Sequence, residues 1–493
     1  MTPGWISQLY QQVYTQQNLF GVDRPSTIAS FQAAGARANS IAIAGGAFGD
    51  EGKGRIVDEL CAQFMSVQPH AGRSTPIIIY RWNGGANAGH TIVIDGQRVA
   101  LHQLPAGTLH PGATVVLGKG MVIHPGDLVA ELESIAPFLT GRDQLDLHID
   151  AGAVLALDTH RAFERALRAW EHGGQGSTGR GISPAYADVL YRHPVRVGDL
   201  LTDDGRAKLA RHYDLYAAWM NGLGAALADA EVPTLSGERI RVGEREAFLR
   251  RLDQQASTLR QYIDHDAYRL IADAWTDETI PFVFEGAQGI GLDARWGVYP
   301  DVTASDPTFD GIALSTEGVV LAQRVALRAG VLKATYTSSV GARRLPTQMD
   351  EALAHRIRED AHEYGATTRR PRDIAYIDLP CLRFFAAVSG MNALVLTHLD
   401  IAYPDTPIRV CTHYTDGAGV EAPYRPDQAY LNGITPHYIE LPSWDGTAVQ
   451  NVKHLNDLPL PALQYIAFLS QALGCAPLMA TTGPERESLI QWM

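Results

Sequence analysis

Short, continuously apolar runs recur along the chain, and each of them abuts a Gly, Asn, Glu or His. They cover residues 40–44, 76–80, 113–117, 281–284 and 393–396. Because the hydrophobic positions are continuous rather than alternating, the runs predict strands covered on both faces, as in a mostly parallel sheet with helices above and below it. We therefore expect an α/β fold whose functional residues gather at the carboxyl ends of the strands.

Helical periodicity follows the first apolar run and returns in the middle of the chain. Residues 56–64 repeat apolar side chains at helical spacing, which predicts a unit of strand, loop and helix. Between residues 200 and 268 the pattern changes to long helical stretches with a stripe that we expect to pack into the core. The stripe consists of Leu209, Tyr213, Tyr216 and Met220.

The domain organisation follows from the lack of linker-like stretches after the first strand begins. We expect one catalytic domain over residues 40–493, with a helical lobe at about residues 200–275. Residues from about 403 to 450 are rich in Pro, Tyr, Asp and Gly, which predicts a small lobe of loops and short strands. Residues 1–39 predict an N-terminal extension made of a helix and a linker, with neither a secretion signal nor a transit peptide.

Composition and charge narrow the class of ligand. Hydrophobic residues make up 46% of the chain and charged residues 19%, as in a globular protein with a sizeable core. The net charge of −13 disfavours a nucleic-acid surface but permits a local basic pocket for a small anion. No run approaches the roughly 20 apolar residues that a membrane helix needs. The four cysteines lie far apart, so we expect buried free thiols and a cytoplasmic location.

Two glycine-rich loops each follow an apolar run and each carry a group suited to proton transfer. The first spans residues 49–54 and contains Asp50 and Lys53, and the second spans residues 83–90 and ends at His90. Glycine-rich loops at strand ends bind phosphates, and an Asp or His beside them can move a proton. The two loops together predict phosphoryl chemistry.

The first loop differs from the usual phosphate-binding pattern, Gly-x-x-x-x-Gly-Lys-Ser/Thr. Lys53 lies between two glycines with no Ser or Thr after it, and Asp50 lies inside the loop. A carboxylate beside bound phosphate is repulsive unless a divalent cation bridges the two. The loop therefore predicts a Mg²⁺ site.

The first loop resembles the signature loop of the adenylosuccinate synthetase family, the ligases that join aspartate to inosine monophosphate (IMP) with GTP hydrolysis. Further blocks resemble the family in the same order along the chain. They lie at residues 81–90, 177–186, 284–289, 299–303, 365–368, 396–400 and 482–486. The resemblance implies a P-loop-like, GTP-dependent ligase body that forms adenylosuccinate, GDP and phosphate through 6-phosphoryl-IMP, in AMP biosynthesis.

The resemblance also implies catalytic roles for four residues. Asp50 would remove the N1 proton of the purine, and His90 would stabilise or protonate the transferring phosphoryl group. Gln288 would contact the base and its 6-oxygen, and Lys53 would neutralise phosphate charge. Mg²⁺ would lie on the Asp50 carboxylate and the backbone carbonyl of Gly89.

Three groups of substrate contacts follow from the same resemblance. For GTP they are Gly49, Glu51, Gly52, Gly54, Gly89, Thr91, His398, Asp400, Thr482, Gly483 and Pro484. For IMP they are Asn83, Asn87, Thr178, Arg192, Thr303 and Val340, and for L-aspartate they are Thr367, Thr368, Arg370 and Arg372. Asp400 would select guanine, because a carboxylate accepts its N1 and 2-amino protons and meets only an acceptor in adenine. Arg192 would reach the nucleotide of a second subunit, which implies a homodimer.

Several family positions differ in this chain. The loop expected to bind aspartate carries Arg369, Asp373, Ala375 and Tyr376 where the family has Gly, a basic residue, Gly and Trp. Further differences lie at Ala47, Phe48, Asn83, Arg295, Trp296, Ser339 and His398. They cluster around the acceptor base and the amino acid and leave the phosphoryl machinery intact, which favours a divergent member with working chemistry.

Three other functions are compatible with these motifs. The first is a related synthetase that adds aspartate to (d)GMP to give 2-aminoadenylosuccinate, a branch that characteristically lacks the aspartate found here at Asp50. The second is a ligase with a different amino donor or base. The third is a non-catalytic nucleotide-binding regulator, which would be expected to lose its proton-transfer groups, whereas Asp50, Lys53, His90 and Gln288 all remain.

Overall fold

The chain forms two compact units. The computed structural model describes residues 36–66, 77–94, 97–139, 145–171, 178–339, 343–364, 371–450, 452–483 and 488–491. The first unit comprises Met1–Lys53, Gln288–Val302 and Ala322–Met493, and the second comprises Gly54–Ala287 and Thr303–Leu321. Residues 1–35, most of the predicted N-terminal extension, lie outside the described residues. The prediction of a single catalytic domain with two lobes stays a prediction.

A mostly parallel sheet organises the first unit. Strand Arg37–Gly45 pairs in parallel with Val325–Lys333, which pairs in parallel with Ala393–Thr397. Ala476–Thr481 extends this sheet in parallel, and Leu489–Gln491 pairs with it antiparallel. The core positions of these strands are almost entirely buried, as a sheet covered on both faces requires.

Helices and short strands complete the first unit. The α-helices are Glu351–Asp360, Leu379–Ser389, Gln428–Leu431, Gly446–Val449 and Leu460–Leu473. The other strands are Thr337–Ser339, Asp373–Ala375, Ile377–Asp378, Ile408–Thr415, Glu421–Ala422 and Thr435–Leu441. Helix Leu379–Ser389 begins at Asp378, whose side chain accepts from the Cys381 amide, and ends at Gly390 with φ 66°. These are the residue types that favour a helix start and a left-handed helix end.

The second unit is organised by a parallel sheet. Its strands, in spatial order, are Ile263–Asp264, Asp146–Asp150, Ala113–Leu117, Ile77–Arg81 and Phe282–Gly289, the last of which ends in the first unit. Its other strands are His90–Ile94, Gln97–Leu101, Val122–Ile123, Val154–Leu155, Glu231–Pro233 and Arg239–Arg241. Its α-helices are Lys53–Ser66, Pro125–Ile135, Asp158–Trp170, Ile182–Leu190, Asp203–Gly222, Arg245–Leu259, Ala267–Thr276 and Asp310–Ser315.

The predicted α/β fold with a mostly parallel sheet is confirmed. The apolar runs form strands, and the segment at 56–64 lies in helix Lys53–Ser66. The aromatic stripe lies on the buried face of helix Asp203–Gly222. Strand Phe282–Gly289 extends five residues beyond its apolar run, because ladder hydrogen bonds rather than hydropathy decide where a strand ends. All four cysteines are buried free thiols, as predicted.

Membrane insertion finds no support among the helices. In the part of the chain that is described, every helix is too short or too polar to cross a bilayer.

Candidate active site

The first glycine-rich loop joins strand Arg37–Gly45 to helix Lys53–Ser66 in a strained conformation. Gly49 and Gly52 have φ values of 96° and 91°, and Asp50 has φ 58°. Glycine adopts this left-handed region without a steric penalty, and Asp tolerates it better than most residues. The loop therefore needs glycine at positions 49 and 52. The Asp50 side chain lies at the tip of the loop and is 47% exposed.

Glu51 fills the interior of the same loop. Its buried carboxylate accepts hydrogen bonds from the amides of Gly49, at 2.7 Å, and Ala47, at 3.3 Å. It also pairs with Lys53 Nζ at 2.8 Å. Backbone amides and an ammonium group that converge on one carboxylate form an anion cradle. The backbone carbonyl of Glu51 accepts from Thr397 Oγ1 at 2.8 Å, which fixes the loop to the end of strand Ala393–Thr397.

Asp50 is paired with Arg372. The distance between Arg372 Nη2 and Asp50 Oδ2 is 2.5 Å, although 322 residues separate the two in sequence. Arg372 Nη1 binds Glu363 Oε2 at 2.6 Å, so that one guanidinium bridges two carboxylates. Burial lowers the pKa of Arg372, but the carboxylates of Asp50 and Glu363 outweigh this effect and raise the pKa above its ordinary value. Arg372 therefore keeps its positive charge at the candidate site.

Sequence reasoning missed the buried charges behind Arg372. Glu363 is 1% exposed and accepts from Lys333 Nζ, from Tyr336 Oη at 2.6 Å and from Arg372. Burial alone would raise the pKa of Glu363, but Lys333 and Arg372 lower it to about 2. Lys333 ends strand Val325–Lys333, which was not among the predicted strands, and Glu363 lies just before the block at residues 365–368; neither position signals burial in the sequence. Buried charges are stable only beside partners that the fold supplies.

The predicted guanine contacts follow two adjacent strands. Leu399 N donates to Thr481 O at 2.9 Å, and His398 N donates to Thr481 Oγ1 at 3.1 Å. Asp400 and Thr482 therefore follow neighbouring strand ends. Thr482 is fully buried, and its Oγ1 has no hydrogen-bond partner among the residues that the structure describes. Such a buried hydroxyl suits a ligand contact.

His398, which replaces the family's lysine, has φ 59°. Its Nδ1 lies 3.3 Å from Tyr336 Oη, the same hydroxyl that donates to Glu363. Hydrogen bonds therefore connect the predicted guanine contact with the network behind Arg372.

Gln288 lies beside the first loop, in the first unit. It has φ 60°. A Cβ added to Gly45 would lie 2.6 Å from the Gln288 carbonyl oxygen, and a Cβ added to Gly289 would lie 2.5 Å from the Ala47 carbonyl oxygen. The glycines at these positions therefore permit the strand end to approach the loop.

His90 lies in the second unit, against a buried acid and a glycine. Its Nδ1 is 3.6 Å from Glu285 Oε1, and Glu285 Oε2 accepts from the Ala106 amide at 2.8 Å. The His90 side chain is 11% exposed. A Cβ added to Gly54 would lie 2.4 Å from His90 Cβ. The last glycine of the first loop is thus required by its contact with the histidine of the second loop.

The predicted IMP contacts in the second unit differ in their surroundings. Asn83 is buried, and its side chain exchanges hydrogen bonds with the backbone of Ala287 at 2.8 and 3.2 Å. Asn87 Oδ1 is buried without a hydrogen-bond partner among the described residues. Thr303 Oγ1 lies 3.2 Å from Ser305 Oγ. Asn83 therefore holds a strand end, whereas Asn87 keeps an acceptor for a ligand.

Thr178 and Arg192 are exposed. Arg192 has φ 67°, and within the described ranges its side chain forms no hydrogen bond or ion pair. Several other predicted contacts are not described. They are Val340, Thr367, Thr368, Arg370 and Pro484, together with the side chain of Thr91.

A second group of potential metal ligands is buried in the second unit, at His160, Asp188 and His212. His160 Nδ1 accepts from the Leu157 amide at 2.9 Å, so its proton lies on Nε2, which donates to Asp188 at 2.9 Å. Neither nitrogen of His160 then offers a lone pair to a metal. The group is a hydrogen-bonded part of the core.

Comparison with known proteins gives consistent matches over most of the chain. The family model described as adenylosuccinate synthetase matches residues 42–490. The adenylosuccinate synthetase of Thermus thermophilus is 37% identical over 448 residues, which cover 91% of this chain and 97% of that protein. The one from Salinibacter ruber is 34% identical over 464 residues, with 91% and 97% coverage.

Solved structures give the same result. A fully ligated adenylosuccinate synthetase from Plasmodium falciparum superimposes with a TM-score of 0.78 and 28% identity, covering 92% of this chain and 99% of that one. A cyanophage S-2L succinoaminodeoxyadenylate synthetase, bound to dGMP and dATP, has a TM-score of 0.54 and 18% identity, covering 92% and 95%. At that identity the second match concerns the fold alone.

Proposed function

The chain belongs to the adenylosuccinate synthetase family, and we propose that it ligates L-aspartate to the 6-position of IMP, with GTP as phosphoryl donor and Mg²⁺ as cofactor. The products are adenylosuccinate, GDP and phosphate. The observation that carries this proposal is the match of the family model over residues 42–490, joined to a glycine-rich loop that presents Asp50 beside an anion cradle.

The chemistry explains why the site needs a base. The 6-oxygen of IMP is a poor leaving group until it is phosphorylated, and it becomes nucleophilic enough only after the N1 proton is removed. Asp50 is the proposed base because its carboxylate is at the loop tip and half exposed. Its Oδ2 is paired with Arg372 Nη2 at 2.5 Å.

Charge neutralisation is the second requirement of phosphoryl transfer. Lys53 and the loop amides now bind the Glu51 carboxylate, so the same donors suit phosphate oxygens. His90 is the proposed group at the transferring phosphoryl, where it would stabilise developing charge or donate a proton. Glu285 lies beside its Nδ1.

The residues fit a Mg²⁺ ion. A carboxylate oxygen and a backbone carbonyl oxygen are ligands that Mg²⁺ prefers, and the Asp50 carboxylate already binds a cationic group, the Arg372 guanidinium. We assign the Asp50 carboxylate to the ion, and the resemblance to the family implies the carbonyl of Gly89 as a further ligand. When bound, Mg²⁺ neutralises charge on the triphosphate.

Substrate contacts follow the family in part. Thr482 and Asn87 each keep a buried oxygen without a partner among the described residues, which supports roles at guanosine and at IMP. Asp400 would read guanine, and Arg372 supplies a guanidinium for a dicarboxylate. The presence of Asp50 favours IMP over (d)GMP as acceptor.

We also propose a cytoplasmic homodimer. Arg192 is exposed beside two exposed apolar side chains, Leu190 at 83% and Tyr191 at 68%. Tyr and Arg are enriched in protein interfaces relative to the rest of the surface. In a dimer, Arg192 would contribute to the IMP pocket of the second subunit.

A phosphate-release assay tests the reaction. Phosphate and adenylosuccinate, measured by chromatography, should form only when GTP, IMP, L-aspartate and Mg²⁺ are all present. Replacing IMP by dGMP, or GTP by ATP, should lower the rate. Phosphate release that does not depend on aspartate, or no release with any acceptor, would contradict the proposal.

A further inference from the structure

Arg372 contacts two carboxylates that differ in their exposure to solvent. Asp50 is half exposed at the loop tip, whereas Glu363 is buried. Both contacts are short, at 2.5 and 2.6 Å. Only the Asp50 contact can be replaced by a ligand, because water and small molecules reach that carboxylate and cannot reach Glu363.

The Glu363 carboxylate accepts hydrogen bonds from three side chains, which is more than an ion pair with Arg372 alone would provide. Lys333 and Tyr336 donate to Oε1 of its carboxylate, and the guanidinium of Arg372 donates to Oε2. The Arg372 backbone amide also donates to the Glu363 carbonyl at 3.0 Å. These contacts fix the base of the Arg372 side chain and the direction of its guanidinium.

The guanidinium retains a donor. Arg372 Nε is buried and has no hydrogen-bond partner among the described residues. Arg358 Nε donates to the Arg372 carbonyl at 2.9 Å and does not contact the guanidinium among the described residues. The guanidinium therefore keeps one donor that the described residues do not use, and its planar fork of donors suits a carboxylate.

We propose that Arg372 is a cation shared between Asp50 and the carboxylate of the incoming amino acid, and that Glu363 is the positioning residue that keeps it between them. This inference rests on the proposed function. When the amino acid takes Arg372, Asp50 is released to bind a divalent cation and to accept a proton. In the absence of the amino acid, Arg372 occupies the loop carboxylate and competes with the metal.

Competition for one carboxylate has a thermodynamic consequence. If the dicarboxylate removes Arg372 from Asp50, it raises the affinity of Asp50 for a divalent cation, and the cation must raise the affinity for the dicarboxylate by the same factor. Removing Arg372 should therefore strengthen metal binding, although the residue belongs to the proposed aspartate site.

Equilibrium binding of Mn²⁺ alone, measured from the electron paramagnetic resonance signal of the free ion, tests the competition without any substrate. Arg372→Gln and Arg372→Lys should each bind Mn²⁺ about fivefold more tightly than the wild type, as the loss of a partly exposed ion pair implies. Lysine keeps the charge but cannot span two carboxylates, so we expect it to stay with Glu363. The added substitution Asp50→Asn should remove the gain.

Arg358→Gln is the matched control. It removes one arginine charge from a side chain that contacts Arg372 but not Asp50. Its Mn²⁺ affinity should equal that of the wild type. If neither Arg372 variant binds Mn²⁺ more tightly than the wild type, or if Arg358→Gln gives the same gain, the proposal is wrong.

The positioning role of Glu363 has its own readout. Glu363→Gln should raise the KM for L-aspartate at least about fivefold and leave the KM for IMP unchanged, because only the direction of Arg372 is altered. Glu363→Asp, which keeps the charge, should restore part of the affinity. Equal effects on both KM values would assign Glu363 a general structural role instead.

The two proposals fail separately. If Arg372→Lys gains Mn²⁺ affinity but the wild type forms no adenylosuccinate, the proposed function is wrong and the competition stands. If adenylosuccinate forms and Mn²⁺ affinity does not change, the competition is wrong and the function stands.

Discussion

Gly54 packs directly against His90. A Cβ added to Gly54 would lie 2.4 Å from the Cβ of His90 and 2.8 Å from its Cγ. Both atoms belong to the part of the imidazole side chain nearest the backbone, which cannot move aside without moving the residue. The first loop therefore needs glycine at position 54, because any larger residue would clash with His90 at the end of the second loop.

Gly54→Ala should therefore lower turnover by displacing His90. We expect a loss of about 10²-fold, the lower end of what removal of one proton-transfer group costs. The measurement is steady-state phosphate release with GTP, IMP and L-aspartate. Gly222→Ala is the control, because no atom of the residues that the structure describes lies within 4 Å of its added Cβ, and a helical position gains stability from alanine. Full activity in Gly54→Ala would show that the contact does not position His90.

Asp50→Ala should abolish turnover and leave nucleotide binding intact. The loss of a base typically costs about 10²- to 10⁴-fold, and the joint loss of a metal ligand adds to it. The comparison is kcat against the Kd of GDP, measured by calorimetry. Near-normal kcat in the variant would exclude Asp50 as the base.

Mixed dimers test the role of Arg192. Asp50→Ala and Arg192→Ala subunits should each be inactive as homodimers, and mixing them should restore part of the activity, because one intact site forms in each mixed dimer. Tagged subunits purified in tandem provide the mixed species. Mixed dimers that remain inactive would mean that Arg192 does not act across an interface.

Acid stability should depend on Glu363. Burial raises its pKa, but Lys333 and Arg372 lower it from 4.5 to about 2. A lowered carboxyl pKa contributes stability above pH 4.5 that is lost as the pH falls toward 2. Between pH 6 and pH 4, the free energy of unfolding should fall about 1 kcal/mol more for the wild type than for Glu363→Gln. Urea unfolding at each pH measures the difference.

Glu421→Gln provides the comparison for that experiment. Glu421 is an exposed carboxylate, so its variant should follow the wild-type pH dependence. Parallel curves for wild type and Glu363→Gln would mean that the buried carboxylate does not carry the charge assigned to it.

Local patterns made the fold and the loop predictable from sequence. Continuous apolar runs reveal buried strands because every residue of such a strand meets the core. Glycines around Asp50 and Lys53 reveal the loop because only particular residues tolerate its backbone angles. Both signals lie within a few consecutive residues.

The network behind Arg372 was not predictable in the same way. Asp50 and Arg372 are 322 positions apart, and the burial of Lys333 and Glu363 depends on partners that meet only after folding. Asn83 illustrates the same limit. The resemblance assigns its side chain to IMP, which stays a prediction. The structure adds a contact with the backbone of Ala287, which depends on where strand Phe282–Gly289 ends.

Glu51 gives the loop an anion of its own. Since its carboxylate already gathers the amides of Ala47 and Gly49 and the ammonium of Lys53, the peptide backbone is preorganised before any nucleotide arrives. The donors therefore lose their conformational entropy when the protein folds, and not when the nucleotide binds. A calorimetric titration should accordingly report a small unfavourable entropy for the triphosphate, and Glu51→Ala should enlarge it.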